Sequence, residues 1–139
     1  MSLSSFFKKL FSPSPAPQFP GIVAAKVLDV QKHPNADRLR IIKLDIGNSI
    51  AEPIVCGAFN FSVGDMVILA LPGAKIAQNI HSDAHEPFVL EKAKIRGVES
   101  QGMICAAFEL GLSNQPGDGI ALLKRTTVPG SPFSKEMIQ

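Results

Sequence analysis

The sequence contains neither tryptophan nor tyrosine, so phenylalanine is its only large aromatic residue. Of nine phenylalanines, only four lie between residues 21 and 123, namely Phe59, Phe61, Phe88 and Phe108. Proteins that bind single-stranded nucleic acid usually stack successive bases on aromatic side chains. So few aromatic residues in this region disfavour stacking on several bases.

Cysteine is also scarce, and long apolar runs are missing. Cys56 and Cys105 each follow two apolar residues, which predicts buried, reduced thiols and a cytoplasmic setting. A disulfide between them stays open, because the sequence does not give their separation in space. Hydrophobic residues make up 45% of the 139 residues, enough for the core of one domain. No apolar run approaches the roughly 20 residues of a membrane-spanning helix.

Excess charge of one sign is missing too. The net charge is +2, but residues 21–123 hold nine Lys or Arg against eleven Asp or Glu. The predicted folded region is therefore slightly acidic, and the basic excess lies in the terminal segments. Any nucleic-acid site must be a local patch and not a property of the whole surface.

Residues 1–20 differ in character from the rest of the chain. Their apolar residues have the spacing of one helix face: Leu3, Phe6, Phe7, Leu10 and Phe11. The proline-rich residues 12–17 predict an extended linker. The short helix could dock on a partner, lie on a membrane surface or fold back on its own domain. We divide the chain into this amphipathic segment and linker (1–20), a domain (21–125) and a tail (126–139).

The domain has the pattern of an all-β protein. Eleven glycines and eleven prolines indicate many turns, and short β-branched runs lie between them. Strands are predicted over residues 22–30, 39–46, 50–56, 66–71, 88–96, 102–106 and 120–123. This number of strands favours an OB-type five-stranded barrel with additional C-terminal strands and a short helical turn at residues 108–111.

The stretch from Glu91 to Glu109 combines charge with strand periodicity. Lys92, Lys94 and Arg96 alternate with apolar residues, so they are predicted to form a cationic row on one strand face. Gly97 and Gly102 bracket residues 98–101, which predicts a turn there. The pattern alone equally fits an ordinary surface strand with solvated lysines.

Four ordered blocks of sequence resemble one known family. They are His33-Pro34-Asn35-Ala36-Asp37-Arg38-Leu39, Ile54-Val55-Cys56-Gly57-Ala58-Phe59-Asn60, Leu71-Pro72-Gly73-Ala74, and Lys92-Ala93-Lys94-Ile95-Arg96-Gly97-Val98-Glu99-Ser100-Gln101-Gly102-Met103-Ile104-Cys105. The chain is similar to the tRNA-binding domain found near the start of bacterial phenylalanine–tRNA ligase beta subunits, with relatives in methionine–tRNA ligase extensions and EMAP-type proteins. Two departures stand out, because Phe59 replaces the usual proline and Ala106 a common serine.

The resemblance implies an OB-fold barrel that binds tRNA, or another structured RNA, by its shape and phosphate backbone, without catalysis. By position it implies contacts from the last block and from the loop after the first strand: Lys92, Lys94, Arg96, Ser100, Met103, His33, Asn35 and Arg38. Arg40 adds a further cation beside that loop. With so few cations, we expect micromolar, salt-sensitive affinity.

Structural roles compete with some of these assignments. His33 could shape its turn, Asp37 could cap that turn or pair with Arg38 or Arg40, and Ser100 and Met103 could be a turn hydroxyl and a core thioether. A protein-interaction or scaffold module, joined to a synthetase subunit or to a second copy, is the alternative function. No metal site is expected, because His81 and His85 lie in a polar, turn-like stretch. No cofactor and no membrane partner are expected either. The chain is either a stand-alone relative or an excised domain.

Overall fold

The computed structural model describes residues 18–117 and 119–139, and this part of the chain is nearly all β. Its ten strands are β1 (Ile22–Lys32), β2 (Arg40–Asp45), β3 (Ile50–Cys56), β4 (Met66–Ala70), β5 (Lys75–Ile76), β6 (Phe88–Val89), β7 (Ala93–Ile95), β8 (Val98–Ser100), β9 (Met103–Ile104) and β10 (Leu122–Leu123). Two 3-10 turns, Phe108–Leu110 and Lys135–Met137, complete the described elements. The all-β prediction is confirmed. Of the segment and linker predicted over residues 1–20, residues 1–17 lie outside the described residues.

The main sheet is built around β1. Its order is β10-β4-β1-β2-β3, all pairs are antiparallel, and β9 adds to β4 beside β10. An irregular register between Val27 and Asp29 locally increases the twist of β1. The open side of the sheet is closed by two hydrogen bonds, from the Gln101 amide to the Pro53 carbonyl and from the Val55 amide to the Ser100 hydroxyl, both 2.9 Å long. The result is the curled, OB-like barrel that the sequence predicts.

Strand β4, next to β1, is buried on both faces, which explains its unbroken apolar sequence. Val67 and Leu69 point into the barrel core. Met66, Ile68 and Ala70 point to a second core outside the barrel. Both faces of this sheet are therefore covered by apolar side chains.

The C-terminal segment covers that second core. Phe133 is 2% exposed and meets Phe19 edge to face at a centroid distance of 5.1 Å. Bridges pair Pro132 with Val23 and Ile138 with Leu123. Residues 126–139, which the sequence suggested were a tail, are thus packed on the domain. Their few apolar residues are separated by proline, glycine and polar residues, so they show no periodic signal.

The strands predicted after residue 87 differ in detail from those observed. The run 88–96 is divided into β6 and β7, because residues 90–92 leave the strand conformation. Residues 98–100, predicted to form a turn, are β8, and the tight turn is at Arg96 and Gly97 instead. No helix within residues 18–117 and 119–139 is long and apolar enough to cross a membrane.

Candidate nucleic-acid interface

The β7–β8 hairpin carries the cationic stretch. Ile95 pairs with Val98, so only Arg96 and Gly97 connect the strands, with φ angles of 53° and 91°. Two positive φ angles in a two-residue connection are the signature of a type I′ turn, which matches the twist of a hairpin. Glycine adopts this angle freely, whereas for arginine it is uncommon and costs conformational energy. The hairpin thus holds an arginine at its tip in an unfavourable backbone conformation.

The three predicted cations are all exposed, but they do not form one strand row. Lys94 lies in β7, Lys92 lies just before that strand, and Arg96 lies in the turn. Glu99 is the cross-strand partner of Lys94, so one carboxylate shares the strand face of Lys94. The hairpin therefore presents a pair of lysines partly offset by Glu99, and an arginine at the tip.

The loop between β1 and β2 is fixed to this hairpin by two side chains. The ring Nε2 of His33 lies 3.0 Å from the carbonyl oxygen of Ile95, and the Asn35 amide nitrogen donates to the carbonyl of Arg96 at 3.1 Å. The backbone N–H of Asn35 donates to His33 Nδ1 at 3.0 Å, so Nδ1 is unprotonated and Nε2 carries the proton donated to Ile95. His33 is 1% exposed, which makes it a positioning residue that joins two elements 62 residues apart.

The β1–β2 loop and the β7–β8 hairpin together place several charged side chains on one surface. Lys32 and Arg38 are exposed on the loop side, and Lys32 pairs with Asp37 at 3.4 Å. Asp37 was expected to cap the turn or to pair with Arg38 or Arg40, and its ion pair is with Lys32 instead. With Lys92, Lys94 and Arg96, the loop and hairpin hold five cations, against three carboxylates from Asp37, Glu91 and Glu99. This surface, called here the loop–hairpin surface, is locally positive although the domain is slightly acidic.

Two predicted contact residues from the last block lie largely inside the protein. Ser100 is 3% exposed, and its hydroxyl accepts a hydrogen bond from Val55 and donates one to the Gly102 carbonyl at 2.8 Å. The first bond joins β8 to β3 and the second holds the turn that follows β8, so little of this hydroxyl is left for a ligand. Met103 is partly buried and packs against the second core. The structural roles considered from the sequence describe both residues.

Arg40 is used to hold the loop that follows β3. Its Nη2 donates to the carbonyls of Ala58 and Phe61 at 3.0 and 3.2 Å. Its Cζ lies 4.7 Å from the ring centroid of Phe59 and 4.5 Å from that of Phe61. Phe61 is buried, but Phe59 is 57% exposed. Sequence reasoning did not include Phe59 in the site, although its replacement of a usual proline was a visible signal.

Both cysteines are free, buried thiols. Burial raises the pKa of Cys56, against the opposing effects of the Ala58 backbone and the Arg40 charge. Burial also raises the pKa of Cys105 well above its ordinary value, and the nearby Glu109 acts in the same direction. Thiols with raised pKa values are poor nucleophiles and poor metal ligands at neutral pH. In the described residues, no cluster of His, Cys, Asp or Glu has the arrangement of a metal site, and His85 packs on Phe108.

Comparisons with known proteins agree with one another. A family model described as a putative tRNA binding domain matches residues 22–132. The chain is 47% identical over 100 residues to the phenylalanine–tRNA ligase beta subunit of Dechloromonas aromatica, covering 72% of this chain and 12% of that subunit. It is 45% identical over 120 residues to the same subunit of Ralstonia nicotianae, covering 86% of this chain and 14% of that one. The chain thus spans about one seventh or less of these relatives.

A solved structure has the same fold. The crystal structure of a MetRS-related protein from Pyrococcus horikoshii superposes with a TM-score of 0.58 and 18% sequence identity, covering 96% of this chain and 97% of that one. At this identity the likeness concerns the fold alone.

Proposed function

Since the chain belongs to the family of putative tRNA-binding domains, we propose that it binds tRNA without catalysis, through the loop–hairpin surface. The substrate is a folded RNA, recognised by its shape and phosphate backbone. A tRNA ligand also implies a cytoplasmic setting. The phenylalanine–tRNA ligase relatives favour an accessory role beside a synthetase, in which this domain holds tRNA and another polypeptide region performs the chemistry.

One observation carries the proposal. His33 and Asn35 fasten the β1–β2 loop to the backbone of Ile95 and Arg96, so two separate blocks of sequence form one cationic surface. A surface fixed in this way loses little conformational freedom when it binds a phosphate backbone. Lys92, Lys94, Arg96, Arg38 and Asn35 are the direct contacts of the proposal. His33 and Ser100 position the loop and the hairpin, Arg40 holds the adjoining loop after β3, and Met103 packs against the second core.

The charges of the surface set the expected strength of binding. Five cations offset by three carboxylates can neutralise only a few phosphates. Each neutralised phosphate makes the logarithm of the binding constant fall with the logarithm of salt concentration by about 0.7 to 0.9. We therefore expect micromolar affinity that weakens steeply as salt rises. The binding unit of the proposal is residues 21–125 together with the segment 126–139 packed on it.

A charge-neutralised variant tests this assignment. Lys92→Ala/Lys94→Ala/Arg96→Ala should weaken bulk tRNA binding by at least ten-fold at low salt and lower the salt slope by about two units. The matched control is Lys75→Ala/Lys124→Ala/Lys135→Ala, which removes the same charge from exposed positions elsewhere. Filter binding across a salt series measures both. Equal losses in the two triple variants would mean that only net charge matters, and the loop–hairpin assignment would be wrong.

A protein-interaction module is the second candidate, and one observation favours it. A mostly apolar groove of about 400 Å³ is lined by residues 75–77 of β5 and its extension and by residues 87–89 around β6. Val89 in this groove is 53% exposed. The partner would be a synthetase subunit or a second copy of the chain. Light scattering of the full chain and of a form lacking residues 1–20 measures the mass, and a monomeric mass in both forms would contradict self-association.

A further inference from the structure

Phe59 is an exposed aromatic ring in a domain that buries most of its aromatic residues. Among the phenylalanines between residues 21 and 123, Phe61 and Phe108 are buried and Phe88 is partly buried, whereas Phe59 is 57% exposed. Exposing a ring costs hydrophobic free energy, because an apolar surface stays in water. Phe59 belongs to neither of the two apolar cores.

The segment around Phe59 is fixed at both ends. Asn60 donates to the Ile120 carbonyl at 2.9 Å and accepts from the Ile120 amide at 3.1 Å. On the other side of Phe59, the Ala58 carbonyl accepts a hydrogen bond from Arg40 at 3.0 Å. Phe61, next to Asn60, is 4% exposed. The exposed ring therefore stands on a short, anchored segment.

Arg40 holds the ring itself. Its guanidinium lies over Phe59, and its Nη2 is bonded to the carbonyls of Ala58 and Phe61 on either side. Such a cation–π contact orients an aromatic side chain and contributes to its stability. The ring is thus supported by Arg40 and still has more than half of its surface in solvent. This arrangement is a preorganised aromatic platform.

The platform is continuous with the loop–hairpin surface. Arg40 pairs with Cys56 across β2 and β3, which brings the start of the Phe59 segment to the start of β2. A Cβ on Gly57 would be 3.7 Å from the Arg38 carbonyl. Arg38 is exposed and belongs to the loop that His33 and Asn35 fasten to the hairpin. The segment that carries the exposed ring therefore adjoins the backbone of the loop that carries Arg38.

From this placement we propose that Phe59, positioned by Arg40, stacks on a single unpaired base of the bound RNA. The inference rests on the proposed function and adds a second kind of contact to it: one base at the edge of the backbone contacts. Stacking on an aromatic ring is tolerant of sequence, because every base has a π face. One ring flanked by arginines also suits a base better than a protein, which requires a wider apolar patch.

The first test is the Phe59→Leu variant, which keeps an apolar side chain and removes the aromatic face. We expect bulk tRNA affinity to fall about ten-fold, as for the loss of one stacked base, with an unchanged salt slope. Phe59→Tyr should bind like the wild type. The control is Val63→Ala, at a position with similar exposure (59%) two residues beyond Phe61. Thermal unfolding confirms that the variants are folded. Affinity of Phe59→Leu within two-fold of the wild type would overturn the proposal.

The absence of native tryptophan provides a second, site-specific test. Phe59→Trp introduces a single fluorophore, and a stacked base should quench it saturably when hexaadenylate or bulk tRNA is added. Val128→Trp, at a 67% exposed position in the C-terminal segment, is the control and should show no saturable quenching. Equal responses from the two variants would overturn the platform.

Failure of this inference can be distinguished from failure of the proposed function. If the wild type does not bind tRNA, the proposed function is wrong, and quenching of Phe59→Trp by hexaadenylate still decides whether the platform binds an unpaired base. If tRNA binds but Phe59→Trp is not quenched, the platform is wrong and the cationic surface stands. If Phe59→Leu instead changes the mass of the protein in solution, the ring is a protein contact and the proposal is overturned.

Discussion

The residues of the last sequence block divide between two tasks. Lys92, Lys94 and Arg96 are exposed, whereas Ser100 is buried and its hydroxyl links β8 to β3 and to the Gly102 carbonyl. The sequence predicted that all four belong to one motif, and they do share one hairpin. The sequence could not tell whether Ser100 contacts RNA or supports the fold, because a serine hydroxyl can bind either a phosphate or a backbone amide. The structure assigns Ser100 to support of the fold, because its hydroxyl accepts a hydrogen bond from the backbone amide of Val55, 45 residues earlier.

Ser100→Ala should therefore reduce stability and leave RNA binding almost intact. The variant removes the acceptor of the buried Val55 amide, which costs about 1–3 kcal/mol in the free energy of unfolding. Urea unfolding measures this loss, with Ser49→Ala on the exposed β2–β3 turn as the control. Below the unfolding transition, tRNA affinity should stay within two-fold of the wild type. A large loss of affinity at full stability would show that the hydroxyl contacts RNA.

At the scale of the element, the arginine at the hairpin tip supplies a cation but is an unfavourable residue for the turn. Arg96 has a φ of 53°, in the region where asparagine and glycine are favoured, and Gly97 follows with 91°. The alternation of lysines with apolar residues predicted one strand over residues 88–96, and only residues 93–95 of the alternating stretch form β7. The position of the turn could not be predicted, because arginine is a poor residue for a type I′ turn and Gly102 offered an equally good boundary.

Arg96→Asn should move stability and binding in opposite directions. An Asn-Gly connection is the favoured type I′ turn, so the hairpin should become more stable by about 0.5–1 kcal/mol. Loss of the tip cation should lower tRNA affinity several-fold and reduce the salt slope by about one unit. Amide hydrogen exchange of β7 and β8 reports the stability, and filter binding reports the affinity. Arg96→Lys is the matched control, and it should retain the charge without the gain in stability.

At the scale of the whole molecule, the strands of the barrel could be predicted from the sequence. The C-terminal segment that covers the second core could not. The apolar, β-branched runs of β1 to β4 carry their own signal, and the pairing of β1 with β2 and of β2 with β3 follows from antiparallel connections between consecutive strands. The burial of β4 on both faces depends on Phe133, Met137 and Ile138, which are far away in sequence and show no periodicity. The likeness to the Pyrococcus horikoshii structure extends over 96% of this chain.

Phe133→Ala should show that the C-terminal segment is part of the folded unit. Phe133 is 2% exposed in the second core, so removing its ring should cost about 3–5 kcal/mol of stability. Chemical unfolding measures the loss, and Val128→Ala, at a 67% exposed position nearby, should change it by less than about 0.5 kcal/mol. If Phe133→Ala does not fold, Phe133→Leu should give a smaller, measurable loss. An unchanged unfolding midpoint in both Phe133 variants would mean that the C-terminal segment does not contribute to the folded unit.

The contact between His33 and Ile95 has a consequence for the order in which the protein is made. The two residues are 62 positions apart, and ribosomes add roughly 5–20 residues per second. A growing chain therefore contains the β1–β2 loop for about 3–12 seconds before the hairpin that fixes it has been synthesised. Under the proposed function, an unfinished chain has no assembled surface for tRNA during that interval.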